Sequence, residues 1–384
     1  MEFRDLTWRN RIAWLVLAAI LMTGCVSDFE LFALSCAGVP PEELDSGTLL
    51  LLILIYAFAG GSGYTPGGAF AAQDVQHQPG FAVVRLGPDG SVLGMQPFTA
   101  DVRGTDAVLH PLADPAARIA GSDALLSRRI YFSDTDNDSV KVFDPAANEV
   151  IASIRVGNEP HGLAISPDGS RLYVGNRRGG TVSVVDTEAL QALAPIALPA
   201  GTEPGGVAIT PDGEKVYVVN EAGNGSVYSV DLGGARPPVQ INTGVGARDV
   251  AISPDGSLAY VTNQTAGSVV VVDTLTDSVV TSLLAPEPTG VVFSPNGNRV
   301  YVAGGGQIGR VFEFEVGGEP APLREWLVGA NPEGLAISPT GGLLVAANRE
   351  SEFASVIRLK SEDGPLEIEL RKGFGAGVLL QPAP

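Results

Sequence analysis

From residue 106 onward the apolar positions fall in short runs of about five, rich in Val, Ile, Leu and Tyr, separated by Gly, Pro, Asp and Asn. Runs this short, with turn residues at both ends, predict β-strands rather than helices. Five segments repeat one order: His161-GLAISPDGSRLYVGN, Gly205-GVAITPDGEKVYVVN, Arg248-DVAISPDGSLAYVTN, Thr289-GVVFSPNGNRVYVAG and Glu333-GLAISPTGGLLVAAN. Their prolines, Pro167, Pro211, Pro254, Pro295 and Pro339, stand 44, 43, 41 and 44 residues apart. A period of this size built only of strands implies one four-stranded blade per repeat. In the repeat that opens at His161, the strands are expected at 162–166, 171–175, 181–185 and near 195–198. Pro-Asp-Gly between the first two is turn chemistry, because Pro pre-sets φ and Gly accepts φ > 0.

Two weaker copies extend the array. Asp106-AVLHP, ending at Pro111, matches Asp249-VAISP, and Gly377-VLLQP, ending at Pro382, matches Gly206-VAITP. The last copy supplies one strand only. Its three partners are expected near the N-terminus, at Gly68-AFAAQ, Phe81-AVVRL and Ser91–Gln96. The predicted fold is therefore all-β, a seven-bladed β-propeller closed by one C-terminal and three N-terminal strands over residues 66–384. Such a closure joins the chain ends through a whole blade.

The first residues read as an address. Arg4, Arg9 and Arg11 precede an apolar run from Ile12 to Met22, and Met22-Thr23-Gly24-Cys25 follows. Basic, apolar and small-residue regions in that order form an export signal. The last four residues resemble a bacterial lipobox, with Met22 where Leu is usual, so residues 1–24 are expected to be removed and Cys25 lipidated. Residues 25–65 are then a tether. It contains a second apolar run, Leu49 to Ala59, too short for the ~20 residues of a membrane-spanning helix, and is expected as a membrane-adjacent or protein-packed helix. The partner is thus a membrane, through the anchor, and the location the cell envelope, periplasmic or surface-exposed.

Composition narrows the chemistry. Gly 48 and Pro 28 make about a fifth of the 384 residues, while 45% are hydrophobic and 17% charged, which excludes a disordered chain. The net charge of −19 argues against a nucleic-acid partner. Two Cys and three His exclude a disulfide scaffold or zinc ribbon, and no Cys-x-x-Cys-His occurs, so no cofactor is expected.

The Ser-Pro-Asp-Gly turn followed by Tyr-Val-x-Asn is similar to the repeat of the YVTN-repeat (YncE-like) β-propellers. Tyr260-Val261-Thr262-Asn263 carries it letter for letter, and Tyr173-VGN and Tyr217-VVN differ at one place each. The resemblance covers about residues 66–384. It implies the propeller fold and an extracytoplasmic setting, and little about activity.

Strand a of each blade should line the central channel, and the d–a and b–c loops should share one mouth. The positions just before strand a include His161, Arg248 and Glu333; two residues earlier stand Glu159, Glu203, Glu287 and Asn331. These seven are the ligand-binding candidates, because polar groups converging on one axis are the default ligand site of such a fold. Asp134-Thr-Asp136-Asn137-Asp138 begins like a calcium loop but lacks its Gly and Glu, and reads as a solvated turn. His77 and His110 fall in turns. The preferred function is binding of an unknown protein or small molecule at the mouth, with no assigned catalytic residue. The alternative is a lactonase-like hydrolase using the mouth carboxylates and His161; no Gly-x-Ser-x-Gly elbow is present.

Overall fold

The computed structural model describes Leu49–Ile55, Gly80–Leu86, Val92–Thr99, residues 106–109, residues 129–369 apart from 145, 146, 148, 224, 339, 352, 362 and 363, and Gly377–Gln381. All lie in the second of two units, residues 41–384.

The described strands form seven antiparallel sheets. The N-terminal strands β1 (Leu49–Ile55), β2 (Gly80–Leu86) and β3 (Val92–Thr99) belong to blade 7. Blade 1 is β4 (Ala107–Leu109), β5 (Ile130–Asp134), β6 (Ser139–Asp144) and β7 (Glu149–Arg155). Blade 2 is β8 (Pro160–Ile165), β9 (Arg171–Asn176), β10 (Thr181–Asp186) and the short outer pieces β11 (Gln191–Ala192) and β12 (Ile196–Ala197). Blade 3 runs β13 (Pro204–Ile209), β14 (Lys215–Asn220), β15 (Ser226–Asp231) and β16 (Val239–Asn242). Blade 4 runs β17 (Ala247–Ile252), β18 (Leu258–Asn263), β19 (Ser268–Asp273) and β20 (Ser278–Leu284). Blade 5 runs β21 (Val291–Phe293), β22 (Arg299–Gly304), β23 (Arg310–Glu315) and β24 (Arg324–Leu327). Blade 6 runs β25 (Pro332–Ile337), β26 (Leu343–Asn348), β27 (Phe353–Arg358) and β28 (Leu366–Glu369). The last strand, β29 (Gly377–Gln381), is the innermost strand of blade 7 and pairs with β1. Each innermost strand packs against the next, and β29 touches both β25 and β4, so the ring is closed.

One expectation is corrected here. The second apolar run is not a helix in a tether. Leu49–Ile55 is a strand, paired with β29 on one side and β2 on the other. Seven consecutive apolar residues without a charge suit a strand covered on both faces, and periodicity alone does not separate that from a buried helix. The propeller therefore starts at Leu49 and not at residue 66. Gly68–Gln73, expected as this strand, lies outside the described residues. Leu50 stands opposite Gln381 and Leu54 opposite Gly377, so the chain enters β1 at the face opposite the mouth, on the a–b side.

The turn between strands a and b behaves as its composition predicts. Ser166 Oγ donates to Asp168 Oδ1 at 2.5 Å, the Arg171 N–H donates to Ser166 Oγ at 2.9 Å, and Gly169 takes φ 75°. Thr210, Ser253 and Ser294 repeat the arrangement with Asp212, Asp255 and Asn296. Bonds to the serine hydroxyl and to the Ser170 N–H hold the Asp168 carboxyl down at about 2.

The core lies between blades. Tyr260, Val269, Val271, Val300, Val302, Phe312 and Phe314 form one such cluster across blades 4 and 5. Tyr260 meets Phe293 edge-on at 4.9 Å between ring centres. Removing that ring deletes its transfer energy and leaves a cavity, so Tyr260→Ala should cost about 3–5 kcal/mol, by analogy with Phe→Ala. A urea midpoint measured against wild type checks this.

Candidate functional site

The local geometry of the mouth comes from a repeated irregularity. Pro160 pairs with Asn176 and Leu163 with Val174, so one extra residue enters β8 between them. The same shift falls between Pro204 and Val207, between Ala247 and Val250, and between Pro332 and Gly334. A β-bulge leaves its extra residue out of the ladder and re-aims it. In blades 2, 4 and 6 the bulged residues include His161, Arg248 and Glu333, which are thus freed from pairing at the channel.

Strand b brings a second set to the same face. The Arg177, Glu221, Gln264 and Arg349 N–H groups donate to the carbonyls of Glu159, Glu203, Gly246 and Asn331. The d–a and b–c loops therefore share one mouth, as expected. Each of these four residues follows the asparagine that ends strand b (Asn176, Asn220, Asn263 or Asn348). They were not among the sequence candidates, although their fixed position after that asparagine was a usable signal.

The side chains form one cluster of ion pairs around Arg177 and a separate pair, Arg349 with Glu333. Arg177 reaches Glu159 at 3.7 Å, Glu203 at 4.0 Å and Glu221 at 2.9 Å. Arg178 reaches Glu159 at 2.5 Å, and Arg248 stands 3.9 Å from Glu221. Arg248 Nε donates to Gln264 Oε1 at 3.0 Å, and Arg349 Nη1 to Glu333 Oε1 at 2.8 Å. Glu221 is the buried member, its side chain only 6% exposed between two guanidiniums. Its place depends on Gly205, where a Cβ would stand 2.6 Å from Glu221 Oε1. Burial pushes the Glu221 carboxyl up, while Arg177 and Arg248 pull it back.

His161 is held down at about 4, first by burial and then by the charges of Arg177, Arg248 and Arg349. Arg177 belongs to blade 2, Arg248 to blade 4 and Arg349 to blade 6, so three blades act on one imidazole. It is neutral at physiological pH and can take a proton.

One layer deeper, the position after the mouth residue is Gly162, Gly206, Gly290, Gly334 and Gly377 in five blades. In the other two it is Asp106 and Asp249. Glycine is required where strands crowd: a Cβ on Gly290 would meet the Glu333 carbonyl at 2.3 Å and one on Gly162 the Gly205 carbonyl at 2.5 Å. The two aspartates instead reach the next blade. Asp106 Oδ2 accepts from the Leu163 N–H at 2.8 Å and Asp249 Oδ2 from the Val291 N–H at 3.0 Å. Protein surrounds both carboxyls while part of each residue stays open. Burial raises Asp106 to about 7, helped by the charge of Asp249, and Asp249 to about 6. Asp106 and Asp249 align in the sequence, at a ring position that is glycine in the other five blades.

The seven candidates divide. Arg248, Glu159, Glu203 and Glu333 enter these ion pairs, and His161 feels the charges of three arginines. Glu287 and Asn331 do not enter the ion contacts described above. They share a backbone role with Glu159, since all three hold positive φ (45°, 48° and 55°) at the d–a corner where blade 4 has Gly246. The acidic turn is also corrected. Asp134 is fully buried, accepting from Asn137 Nδ2 at 2.9 Å beside Lys141 at 3.4 Å, and Asp138 accepts from the Glu159 N–H at 2.9 Å. Asp134 and Asp138 therefore hold the corner together, and only Asp136 is exposed among the three. Among the described residues no group of three His, Cys, Asp or Glu is placed to hold a metal ion. Cys25, His77 and His110 lie outside the described residues.

Residues 207–374 match the family described as "Lactonase, 7-bladed beta-propeller". The fold resembles two candidate 6-phosphogluconolactonases, from Bacteroides uniformis and Bacteroides fragilis. The first has 18% identity over 87% of this chain and 100% of that one, with TM-score 0.64. The second has 17% identity over 88% and 99%, with TM-score 0.64. Hydrazine synthase of Kuenenia stuttgartiensis shares 27% identity over 60% of this chain and 73% of that chain, with TM-score 0.54. No curated protein matches the sequence.

Proposed function

We propose that the mouth binds a small anionic lactone and hydrolyses it. The observation that carries this reading is a neutral imidazole, His161, set among three arginines drawn from three blades. His161 would take a proton from water as the water oxygen adds to the ring carbonyl. Arg177, Arg248 and Arg349 would hold the carboxylate or phosphate of the ligand and the charge that develops on the carbonyl oxygen. Glu221, clamped between Arg177 and Arg248, would fix the two guanidiniums. The lactonase family match over part of the chain supports this chemistry over the binding-only role preferred from sequence.

A panel of sugar-acid and aliphatic lactones, assayed with and without divalent metal, tests the proposal. Arg248→Ala should raise KM for an anionic lactone about 10–100-fold, the loss of a hydrogen bond to a charged group, and leave neutral lactones nearly unaffected. Wild-type protein that binds the hydroxy-acid product but opens no lactone would instead support the binding role. Lipidation at Cys25 belongs to the same proposal: because the chain enters β1 opposite the mouth, an anchored propeller would present the mouth away from the membrane. Fatty-acid labelling equal in wild type and Cys25→Ser would defeat the anchor.

A further inference from the structure

The two aspartates of the channel floor have no task in the reading above, and one of them is built against the strand that carries His161. Asp106 ends blade 1's approach to the channel. Its Oδ1 accepts from the Ala107 N–H and its Oδ2 from the Leu163 N–H, each at 2.8 Å, and Leu163 is two residues beyond His161 on β8. Its own N–H donates to Ser133 Oγ at 3.1 Å. Both carboxyl oxygens thus face backbone donors. A proton on this carboxyl cannot point at an N–H, so it must turn to the part of Asp106 that stays open, beside the strand that carries His161. Asp249 has the same arrangement on Val250 and Val291, but β21 carries no histidine.

We propose that Asp106 is the acid partner of His161, a floor carboxyl that delivers a proton to the oxygen leaving the opened lactone ring. This rests on the hydrolase reading and names a second reacting group within it. Water gives a proton to His161 and its oxygen bonds to the ring carbonyl carbon. The tetrahedral centre collapses, the ring C–O bond breaks, and the departing oxygen takes the Asp106 proton. The imidazolium then returns its proton to the Asp106 carboxylate through water, and the products are one hydroxy acid and the starting enzyme. Two titratable groups pushed apart by their surroundings, one down to about 4 and one up to about 7, suit base and acid at neutral pH.

Among the described residues, the strands packed against Asp106 carry few ionisable groups. β8 brings His161, with Glu159 and its two arginines at the corner. β5 brings Tyr131 and, at its end, Asp134 paired with Lys141. β29 contributes no ionisable side chain. Across the channel stand Asp249 and, a layer above, Arg248. Asp249 is the neighbour whose charge raises Asp106, so it supplies the control.

The test pairs two measurements on the whole chain. Infrared titration of wild-type protein without substrate should show a carboxylic acid band persisting to about pH 7; Asp106→Asn should keep only the Asp249 band, gone above about pH 6, and Asp249→Asn should shift the Asp106 band to lower pH. The pH profile of kcat/KM should fall on the alkaline side near the same value. Asp106→Asn should abolish that limb and lower kcat at least tenfold, and Asp249→Asn should move the limb to lower pH with kcat retained. A merely structural role for Asp106 would not move the limb. If Asp106→Asn fails to fold, the Asp249→Asn shift still decides. Absence of the band, or an alkaline limb unmoved in Asp249→Asn, overturns Asp106 as acid while leaving the hydrolase reading intact. A band present with no lactone opened by wild type overturns both.

Discussion

A chain truncated after Ala376 should lose about 5–10 °C in melting temperature. The truncation removes β29, whose five residues pair with Leu50–Leu54 of β1 and close the ring. At about 1 kcal/mol net for each backbone hydrogen bond, the pairing alone contributes about 5 kcal/mol, a large share of the ~5–15 kcal/mol that holds a typical fold. With an unfolding entropy of about 2.1 cal/mol/K per residue, a domain of this size loses roughly 1–2 °C per kcal/mol. The damage extends beyond β1. β29 also packs against β25 and β4, so its loss opens both neighbouring seams and leaves β1 as a bare apolar edge, a site for association with other chains. Scanning calorimetry of the truncated and full chains at low concentration measures the change. An unchanged midpoint would mean that the ring does not depend on β29.

What the chain displays openly is whatever repeats. The prolines, the Ser-Pro-Asp-Gly turns and the Tyr-Val-x-Asn strands recur because seven blades need one geometry, and Ser166, Thr210, Ser253 and Ser294 make the same bonds. The first strand was missed for the opposite reason. Leu49–Ile55 has no partner asparagine and no turn proline, only apolar residues, and its place is set by β29 and β2, far away in sequence. The site was legible in part. His161, Arg248 and Glu333 stood out as polar residues at an equivalent position. Arg177, Glu221 and Arg349 did not, since their importance comes from a d–a loop and a b–c loop meeting through the Arg177 N–H and Glu159 carbonyl and its counterparts. Glu287 and Asn331 were chosen for chemistry when the backbone explains them: the corner needs a residue at positive φ, and Asn is among the side chains that tolerate it best.

The pH response of His161 separates the readings of the mouth most sharply. An imidazole held at about 4 is neutral from pH 5 upward, so kcat/KM for an anionic lactone should be level through pH 5–6 and fall only as the pH approaches 4. His161→Ala should lower it about 10²–10⁴-fold, the usual contribution of a positioned base. An anionic ligand changes the balance. Burial holds the imidazole down first and the charges of Arg177, Arg248 and Arg349 second; the ligand's charge offsets the second cause, so the His161 value in the complex should rise above about 4. By linkage the protonated form then binds the ligand more tightly, and affinity increases as pH falls from about 6 toward 4. Calorimetry in two buffers of different ionisation heat should therefore show proton uptake on binding gluconate near pH 5, absent in His161→Ala. The folded chain alone responds with the opposite preference. With its value below the unfolded one, His161 favours the fold above pH 6.5 and loses that contribution as pH falls through 4, whereas the raised Asp106 and Asp249 favour the fold increasingly as pH drops from about 7. Thermal midpoints of Asp106→Asn and Asp249→Asn should accordingly depend less on pH between 5 and 8 than that of wild type, while His161→Ala should differ from wild type mainly below pH 6.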